Sequence, residues 1–223
     1  MIPHGQQSER DTIAMDDFFA VGPLTGRIAR LEPLSYQHVL GLVAAAQAGR
    51  ERYALTDVPG DEEEAHRYVQ RAVEGQADGS IVAFAVVDPR DDRVVGSTRF
   101  CYFEHWRWRE AYRRRPAGMP DACELGGSWL ALHAQRTGIN RAAKLLMLEV
   151  AFDRWQLHRV RLRTDARNER SRRAIAGIGA TLDGVMRADS AGYDGTIRDS
   201  ASYSITEQDW PQVRKKLELS LLR

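Results

Sequence analysis

The chain has 223 residues, of which 43% are hydrophobic and 28% are charged, and its 32 basic and 31 acidic side chains nearly cancel. This balance is typical of a globular protein of one domain, and it gives a nucleic-acid role of the whole molecule no electrostatic support. No apolar run approaches the roughly 20 residues that span a bilayer. Residues 1–10 are polar and lack the apolar core of a signal peptide, so we expect a cytoplasmic protein.

Cysteines and potential metal ligands are few. Cys101 and Cys123 are the only cysteines of the chain, and both lie in strand-like runs. Two thiols are too few for a disulfide scaffold, and we expect them to be free and buried. No cluster of His, Cys and Asp has the spacing of metal ligands, so no metal is expected.

The first half of the chain predicts an arm followed by strands and helices. Residues 1–22 are polar and then mixed, which favours a flexible arm or a segment that docks on the surface or on a partner. One domain is expected over residues 23–223, with ordered structure from about residue 24. Its first predicted elements are a strand over 28–34, helices over 36–48 and 61–75, and a hairpin of strands over 81–87 and 94–103.

The second half begins with residues 104–121, which are rich in aromatic and arginine side chains and are predicted as a long loop insertion. The elements predicted after it are a strand over 124–132, an amphipathic helix over 140–155, a strand over 160–164, a helix over 168–178, strands over 181–187 and 197–205 joined at Asp194-Gly195, and a helix from Trp210. This order predicts a mixed α/β fold with a central sheet of about seven strands flanked by helices.

The segment Gln135-Arg136-Thr137-Gly138-Ile139-Asn140 separates a predicted strand from a predicted helix. A loop that opens a helix presents unpaired backbone N–H groups and the positive end of the helix dipole, which suits a phosphate or pyrophosphate. Gly138 permits close approach of the backbone to the anion, and Arg136 can add a cationic contact. Alone, a glycine before a helix more often marks only a turn.

A second motif follows about 28 residues later, where the run Thr164–Ile175 precedes Gly179-Ala180. Together, Gln135-x-x-Gly138 and this run resemble the two cofactor motifs of the GNAT acetyltransferases. The resemblance covers roughly residues 24–220 and is nearest to the Rim-type branch, named for N-terminal acetylation of ribosomal proteins. Further matches to that branch are Leu31-Glu32-Pro33-Leu34, Arg198-Asp199, Tyr203-Ser204 and Trp210-Pro211.

The resemblance implies a single GNAT domain that takes acetyl-CoA as its cosubstrate. The pantetheine arm would lie between two splayed parallel strands, around Ser128–Leu132 and Val160–Thr164. The implied cofactor-binding residues are Trp129, Leu130 and Ala131 by their backbone groups, Gln135, Arg136, Thr137, Gly138, Ile139 and Asn140 at the pyrophosphate, and Asn168 and Ser171. Asn168 is also a good helix N-cap, and the two roles can coexist.

The implied reaction is attack of a neutral amine on the thioester. Glu124, at the start of the strand that leads to the cofactor, is the predicted base, and a salt bridge alone would explain it equally well. Ser171 matches the position of a hydroxyl near the sulfur that can protonate the leaving thiolate, or it serves only the first turn of its helix. Tyr203 is a second hydroxyl candidate, though packing in the last strand is the simpler interpretation.

The acceptor amine decides how strong a base is needed. An α-amino group has a pKa of about 7.7–8.0, and a lysine has one of about 10.4, so the α-amine is far more often neutral at pH 7. The sequence offers no strong second base, which favours a protein N-terminus as acceptor. A lysine or a small-molecule amine stays open.

The insertion at 104–121 has several interpretations. Trp106, Trp108 and Tyr112 are candidate substrate residues of a lid, or they form a homodimer contact, or they seal the sheet edge. Two other functional classes remain: a GNAT domain that binds acetyl-CoA without catalysis as a sensor or scaffold, and a nucleic-acid-binding module that uses this aromatic and arginine-rich loop.

Overall fold

The computed structural model describes residues 18–113, 115–116 and 118–222 and has at its centre one eight-stranded sheet. The strands are β1 (Leu24–Thr25), β2 (Arg30–Pro33), β3 (Ile81–Asp88), β4 (Arg93–Glu104), β5 (Ala122–Leu130), β6 (Arg159–Asp165), β7 (Thr181–Ala191) and β8 (Ile197–Thr206). Their order in the sheet is β1-β2-β3-β4-β5-β6-β8-β7. Every neighbouring pair is antiparallel except β5 and β6, which are parallel.

Helices cover both faces of the sheet. They are α1 (Val39–Ala46), α2 (Glu62–Ala77), α3 (Ile139–Glu149), α4 (Glu169–Gly177) and α5 (Trp210–Leu221). The alternation of side chains along β4 shows the two faces, because Ser97 bonds to Tyr68 of α2 whereas Thr98 contacts Met147 of α3. Helices α2 and α3 therefore lie on opposite sides of β4.

The mixed α/β fold with a central sheet is confirmed, with one strand more than expected. Strand β1 has only two residues, too few for an alternating pattern to show in the sequence. The predicted helix over 140–155 contains α3 and then a π-helical turn, Val150–Arg154. Side chains of this region are buried on one face, as the helical spacing of Leu148, Phe152 and Trp155 predicts.

Strands β5 and β6 diverge soon after they begin. Their pairing is limited to Ala122–Glu124 on β5 and Arg159–Arg161 on β6, although both strands continue beyond it. Between Gly126 and Trp129, β5 has one residue more than the facing stretch of β4, and Gly127 there takes the left-handed φ of 56°. Such a bulge bends the strand that carries it, and here it accompanies the predicted splay.

The end of the predicted N-terminal arm is packed on the domain. Residues 1–17 lie outside the described residues, whereas Phe18 stacks on Trp155 at 4.5 Å between ring centroids and is 1% exposed. The indole Nε1 of Trp155 also donates to the Phe18 carbonyl oxygen at 2.8 Å. From Phe18 onwards the arm thus behaves as a docked segment, and the described structure begins before residue 24.

Cys101 and Cys123 are free and buried, as expected. Burial raises the pKa of Cys101 to about 11 and that of Cys123 well above its ordinary value, which keeps both as thiols at neutral pH. Among the described residues, no helix is long and apolar enough to cross a membrane.

Candidate active site

The splay between β5 and β6 opens a cleft of about 830 Å³. Its walls come from β5, β6, the loop before α3 and the start of α4, with the β7–β8 hairpin on one side. The predicted site residues that line it are Glu124, Trp129, Leu130, Gln135, Arg136, Gly138, Asn140, Asn168 and Ser171. Residues from two distant motifs therefore meet in one cavity, as the resemblance implied.

One end of the cleft is the N-terminus of α3. Gly138 precedes this helix with a φ of 92°, a left-handed conformation that favours glycine. The preceding loop is held by Thr137, whose hydroxyl donates to the Ala134 carbonyl oxygen at 2.7 Å. Within the described structure no side chain caps α3, and its first turn has no acidic residue. Backbone N–H groups with positive potential thus remain for a phosphate group.

The backbone of β5 offers fewer free groups than predicted. The Trp129 carbonyl oxygen faces β4 at Gly96, and the Ala131 N–H donates to the Val95 carbonyl oxygen at 2.7 Å. Alternation leaves Leu130 facing the open side of the strand. Its carbonyl oxygen already accepts from Tyr53 Oη and Gln135 Nε2, both at 2.9 Å.

Trp129, Leu130 and Ala131 were expected to offer backbone groups to the cofactor. Of the groups described above, only the Leu130 N–H faces the open side of β5 and has none of the hydrogen bonds just described. Gln135 has a positioning role, because its amide ties the loop to the end of β5. The side chain of Ile139 is buried in the core, so this residue can contribute only its amide.

Asn168 and Ser171 form the entrance to α4. The Asn168 Oδ1 accepts from the Ser171 N–H at 3.0 Å, which is the N-cap bond expected of an asparagine here. The side-chain amide of Asn168 keeps its two N–H donors, and both residues line the cleft. The cap and a cofactor contact can therefore coexist.

Glu124 is buried, and its carboxylate is held by arginines. Its Oε2 accepts from Arg163 Nε at 2.6 Å and from Arg161 Nε at 3.3 Å. Arg163 also pairs with Asp189 at 3.2 Å. No described residue donates a hydrogen bond to Glu124 Oε1, which lies next to Gly126 in the cleft wall. One carboxylate oxygen thus fixes the side chain and the other is free.

Tyr203 does not join this site. It is buried on β8, and its hydroxyl accepts from Arg172 Nε at 3.2 Å. Because the side chain lies outside the cleft lining, packing in the last strand is the better interpretation of Tyr203.

The substrate candidates Trp106, Trp108 and Tyr112 do not line the cleft either. The Trp106 ring stacks on His158 with centroids 5.7 Å apart, and Trp108 Nε1 donates to Asp121 at 2.8 Å. Both indoles are thus folded against the start of β5 and β6, away from the splayed end, because Asp121 and His158 offer them polar partners. Tyr112 is exposed.

A buried lysine in the cleft wall was missed by the sequence analysis. Lys144 Nζ donates to Thr98 Oγ1 at 3.1 Å and to Ser128 Oγ, and no carboxylate pairs with it in the described part of the chain. Burial lowers its pKa to about 7. The sequence pattern places Lys144 at a polar position of an amphipathic helix, where an exposed side chain is expected. Its burial becomes evident only from the packing of α3 on β4 and β5.

These residues fit an extended cofactor with a phosphate at one end. The uncapped start of α3 suits the anion, the splayed strands suit an extended chain, and the buried Trp129 Nε1 has no hydrogen-bond partner among the described residues. A buried donor without a partner is costly, and a bound molecule that accepts from it would remove that cost. In the described residues, no group of three or more His, Cys, Asp or Glu side chains could hold a metal.

Solved structures of several known proteins share the fold of this chain. A GCN5-related N-acetyltransferase from Brucella melitensis superposes with a TM-score of 0.75 at 23% identity, over 88% of this chain and 84% of its own. Mycobacterium smegmatis RimJ in complex with CoA-disulfide superposes with a TM-score of 0.71 at 20% identity, over 89% of this chain and 93% of its own. The ribosomal-protein-S5-alanine acetyltransferase from Vibrio fischeri superposes with a TM-score of 0.65 at 18% identity, over 84% of this chain and 98% of its own.

At these identities the three structures show a shared fold. No curated protein matches the chain. A family described as acetyltransferase (GNAT) domain matches residues 29–181, which is more than half of the sequence. The chain therefore belongs to the GNAT acetyltransferase family.

Proposed function

We propose that this protein transfers the acetyl group of acetyl-CoA to a primary amine, by direct attack in a ternary complex. A protein N-terminal α-amine is the favoured acceptor. The observation that carries the proposal is the cleft itself, in which the uncapped N-terminus of α3 meets the splayed ends of β5 and β6. A GNAT domain with such a cleft is suited to hold acetyl-CoA with its thioester between the two strands.

Each part of the cofactor has a matching group. The first-turn amides of α3, together with Gly138 and Arg136, would bind the pyrophosphate. The N–H of Leu130 would pair with the pantetheine as an added strand does, and the free Asn168 amide would donate to it. The bound thioester supplies the electrophilic carbonyl carbon.

The proposed chemistry needs two proton transfers. The neutral amine attacks the carbonyl carbon, the C–S bond breaks, and the thiolate leaves. Glu124 Oε1 takes the proton that the amine loses, directly or through a water, and the Ser171 hydroxyl gives a proton to the thiolate. Both side chains line the cleft, and Oε1 is the Glu124 oxygen that accepts no hydrogen bond from the described residues.

Two alternatives compete with this proposal. A domain that binds acetyl-CoA without catalysis would keep the cleft and release no thiol. A nucleic-acid module would need free aromatic faces, whereas Trp106 stacks on His158 and Trp108 is bonded to Asp121. These contacts occupy one face of Trp106 and the indole N–H of Trp108, which makes the nucleic-acid alternative the weaker one. The expected homodimer stays a prediction.

Thiol release from acetyl-CoA tests the proposal. One acceptor is a neutral peptide with a free N-terminus, and the other is the same peptide with a blocked N-terminus and one lysine. At pH 7 we expect a kcat/KM at least about tenfold higher for the α-amine, since the lysine is seldom neutral. Acetyl-CoA binding with no thiol release for any amine would establish the inactive alternative, and faster lysine acetylation would overturn the proposed acceptor.

A further inference from the structure

The cleft has a second side, opposite α3. On β4, Ser97 faces Tyr68 of α2, and Arg99 is two residues further along the same strand. A Cβ atom added to Gly127 would lie 2.8 Å from Arg99 Nε and 3.1 Å from Arg99 Cζ, so the Arg99 side chain packs against the bulge of β5. Arg99 therefore occupies the α2 side of the cleft at the point where β5 leaves β6.

Arg198, at the start of β8, lines the same cleft. The Nε atoms of Arg99 and Arg198 are both buried without a hydrogen-bond partner among the described residues. No described carboxylate lies within the 4.0 Å ion-pair distance of either guanidinium. Tyr193, in the turn between β7 and β8, lies within electrostatic reach of both.

Two other arginines of the cleft have carboxylate partners. Arg163 pairs with Glu124 and Asp189, and Arg173 pairs with Glu169 at 3.0 Å. Asp57 interacts electrostatically with Arg99, and Asp165 does so with Arg198, but their ion-pair partners are Arg71 at 3.1 Å and Arg167 at 2.7 Å. A buried guanidinium N–H without a partner is costly, so two arginines that carry such a group and line one cavity favour an anionic ligand there.

We infer that Arg99 and Arg198 form a subsite for a carboxylate of the acceptor, so that the preferred acceptor amine belongs to an acidic molecule. The inference rests on the proposed function, which places the acceptor in this cleft. Planar guanidiniums bind carboxylates with directed, charge-assisted hydrogen bonds. The carboxylate can come from acidic side chains near a protein N-terminus or from the α-carboxylate of a free amino acid.

Binding of acetylated products tests the inference without the need for turnover. The first pair of probes is the peptide amide acetyl-Ala-Asp-Glu-Ala and its isostere acetyl-Ala-Asn-Gln-Ala. The second pair is N-acetylalanine and N-acetylalaninamide. Each probe is titrated by calorimetry into the full chain, with and without CoA, and CoA binding itself is measured in the same samples.

We expect at least one acidic probe to bind about tenfold or more tightly than its neutral isostere. Tighter binding of the acidic probe in the first pair identifies the acceptor as an acidic peptide. Tighter binding of the acidic probe in the second pair identifies it as a free amino acid. Arg99→Gln and Arg198→Gln should each remove the preference, and Arg99→Lys should restore part of it. The control is Arg93→Gln, an exposed position at the start of β4 outside the cleft, which should keep it.

Equal binding of acidic and neutral probes in both pairs would overturn the inference, as would a preference that survives both Gln variants. If CoA binds and the charge preference is absent, the proposed function stands and only the carboxylate subsite fails. If CoA does not bind to the folded wild type, the proposed function itself fails.

Discussion

At the scale of single residues, Glu124 is the side chain on which the proposed proton transfer depends. We expect Glu124→Gln to lower kcat by about 100-fold, because the amide cannot accept the amine proton. Its matched control is Glu104→Gln, since Glu104 also pairs with Arg161 but does not line the cleft. Steady-state thiol release with an α-amine peptide measures both variants, and equal losses would reduce Glu124 to a structural ion-pair partner.

The low pKa of Lys144 in the folded protein predicts how the free energy of unfolding depends on pH. Its folded-state pKa is about 7, whereas an unfolded lysine keeps its proton to about 10.4. Between these values the unfolded chain binds more protons, so the contribution of Lys144 to the free energy of unfolding rises with pH. Its destabilising effect is complete below about pH 7 and disappears as the pH approaches 10.4.

Lys144→Met removes this contribution, and Thr98 and Ser128 keep their mutual hydrogen bond of 2.8 Å. At about 1.4 kcal/mol per pKa unit, we expect the variant to be more stable than the wild type by about 2 kcal/mol or more at pH 6, with the difference shrinking by pH 9. Urea unfolding at both pH values measures it, with the exposed Lys216→Met as control. A difference that does not change with pH would contradict a buried neutral amine.

At the scale of elements, the close approach of β4 and β5 requires Gly96. A Cβ atom there would lie 2.1 Å from the Trp129 carbonyl oxygen and 3.0 Å from Leu130 Cα. We expect Gly96→Ala to cost about 3 kcal/mol or more, since backbone atoms must separate at the cofactor strand. Gly177→Ala is the control, because no described atom outside the adjacent residues and the backbone of its own helix lies within 4 Å of the added Cβ, and its place in α4 predicts a gain of about 0.5–1 kcal/mol. Chemical denaturation measures both, and equal stabilities would contradict the described strand contact.

The packing of the 104–121 segment predicts that its two tryptophans are dispensable for catalysis. Because neither indole lines the cleft, Trp106→Ala and Trp108→Ala should keep kcat/KM within about twofold of the wild type. Loss of the contacts to His158 and Asp121 should instead lower stability by about 1–2 kcal/mol. Thiol release and thermal unfolding measure the two effects. A large rise of the acceptor KM in either variant would instead indicate that the tryptophans form a lid over the substrate.

Across the whole molecule, local signals predicted the order of elements well. The apolar run 81–87, the Asp194-Gly195 turn and the Asn168 cap each depend on neighbours in the chain, and the structure contains all three elements. The loop before α3 and the start of α4 were identified because their residue types resemble a known pair of motifs.

Long-range contacts explain what the sequence did not predict. Tyr53 donates a hydrogen bond to the Leu130 carbonyl oxygen across 77 residues of sequence, and Arg163 donates one to Glu124 across 39 residues. Neither spacing follows a helical or strand period, so no pattern indicated them. The same holds for Phe18, whose burial depends on the ring of Trp155, and for Arg99 and Arg198, which line one cavity because β4 and β8 flank it.

Calorimetric titration of acetyl-CoA tests the central claim most directly. The wild type is compared with Gly138→Trp, which places an indole at the start of α3, and with Gly195→Trp, which carries the same backbone strain in the β7–β8 turn. The two glycines have φ values of 92° and 78°, so folding costs are matched while only the first lies in the proposed phosphate site. We expect the wild type and Gly195→Trp to bind acetyl-CoA and Gly138→Trp to lose this binding. Undiminished binding by a folded Gly138→Trp, or none by the folded wild type, would contradict it.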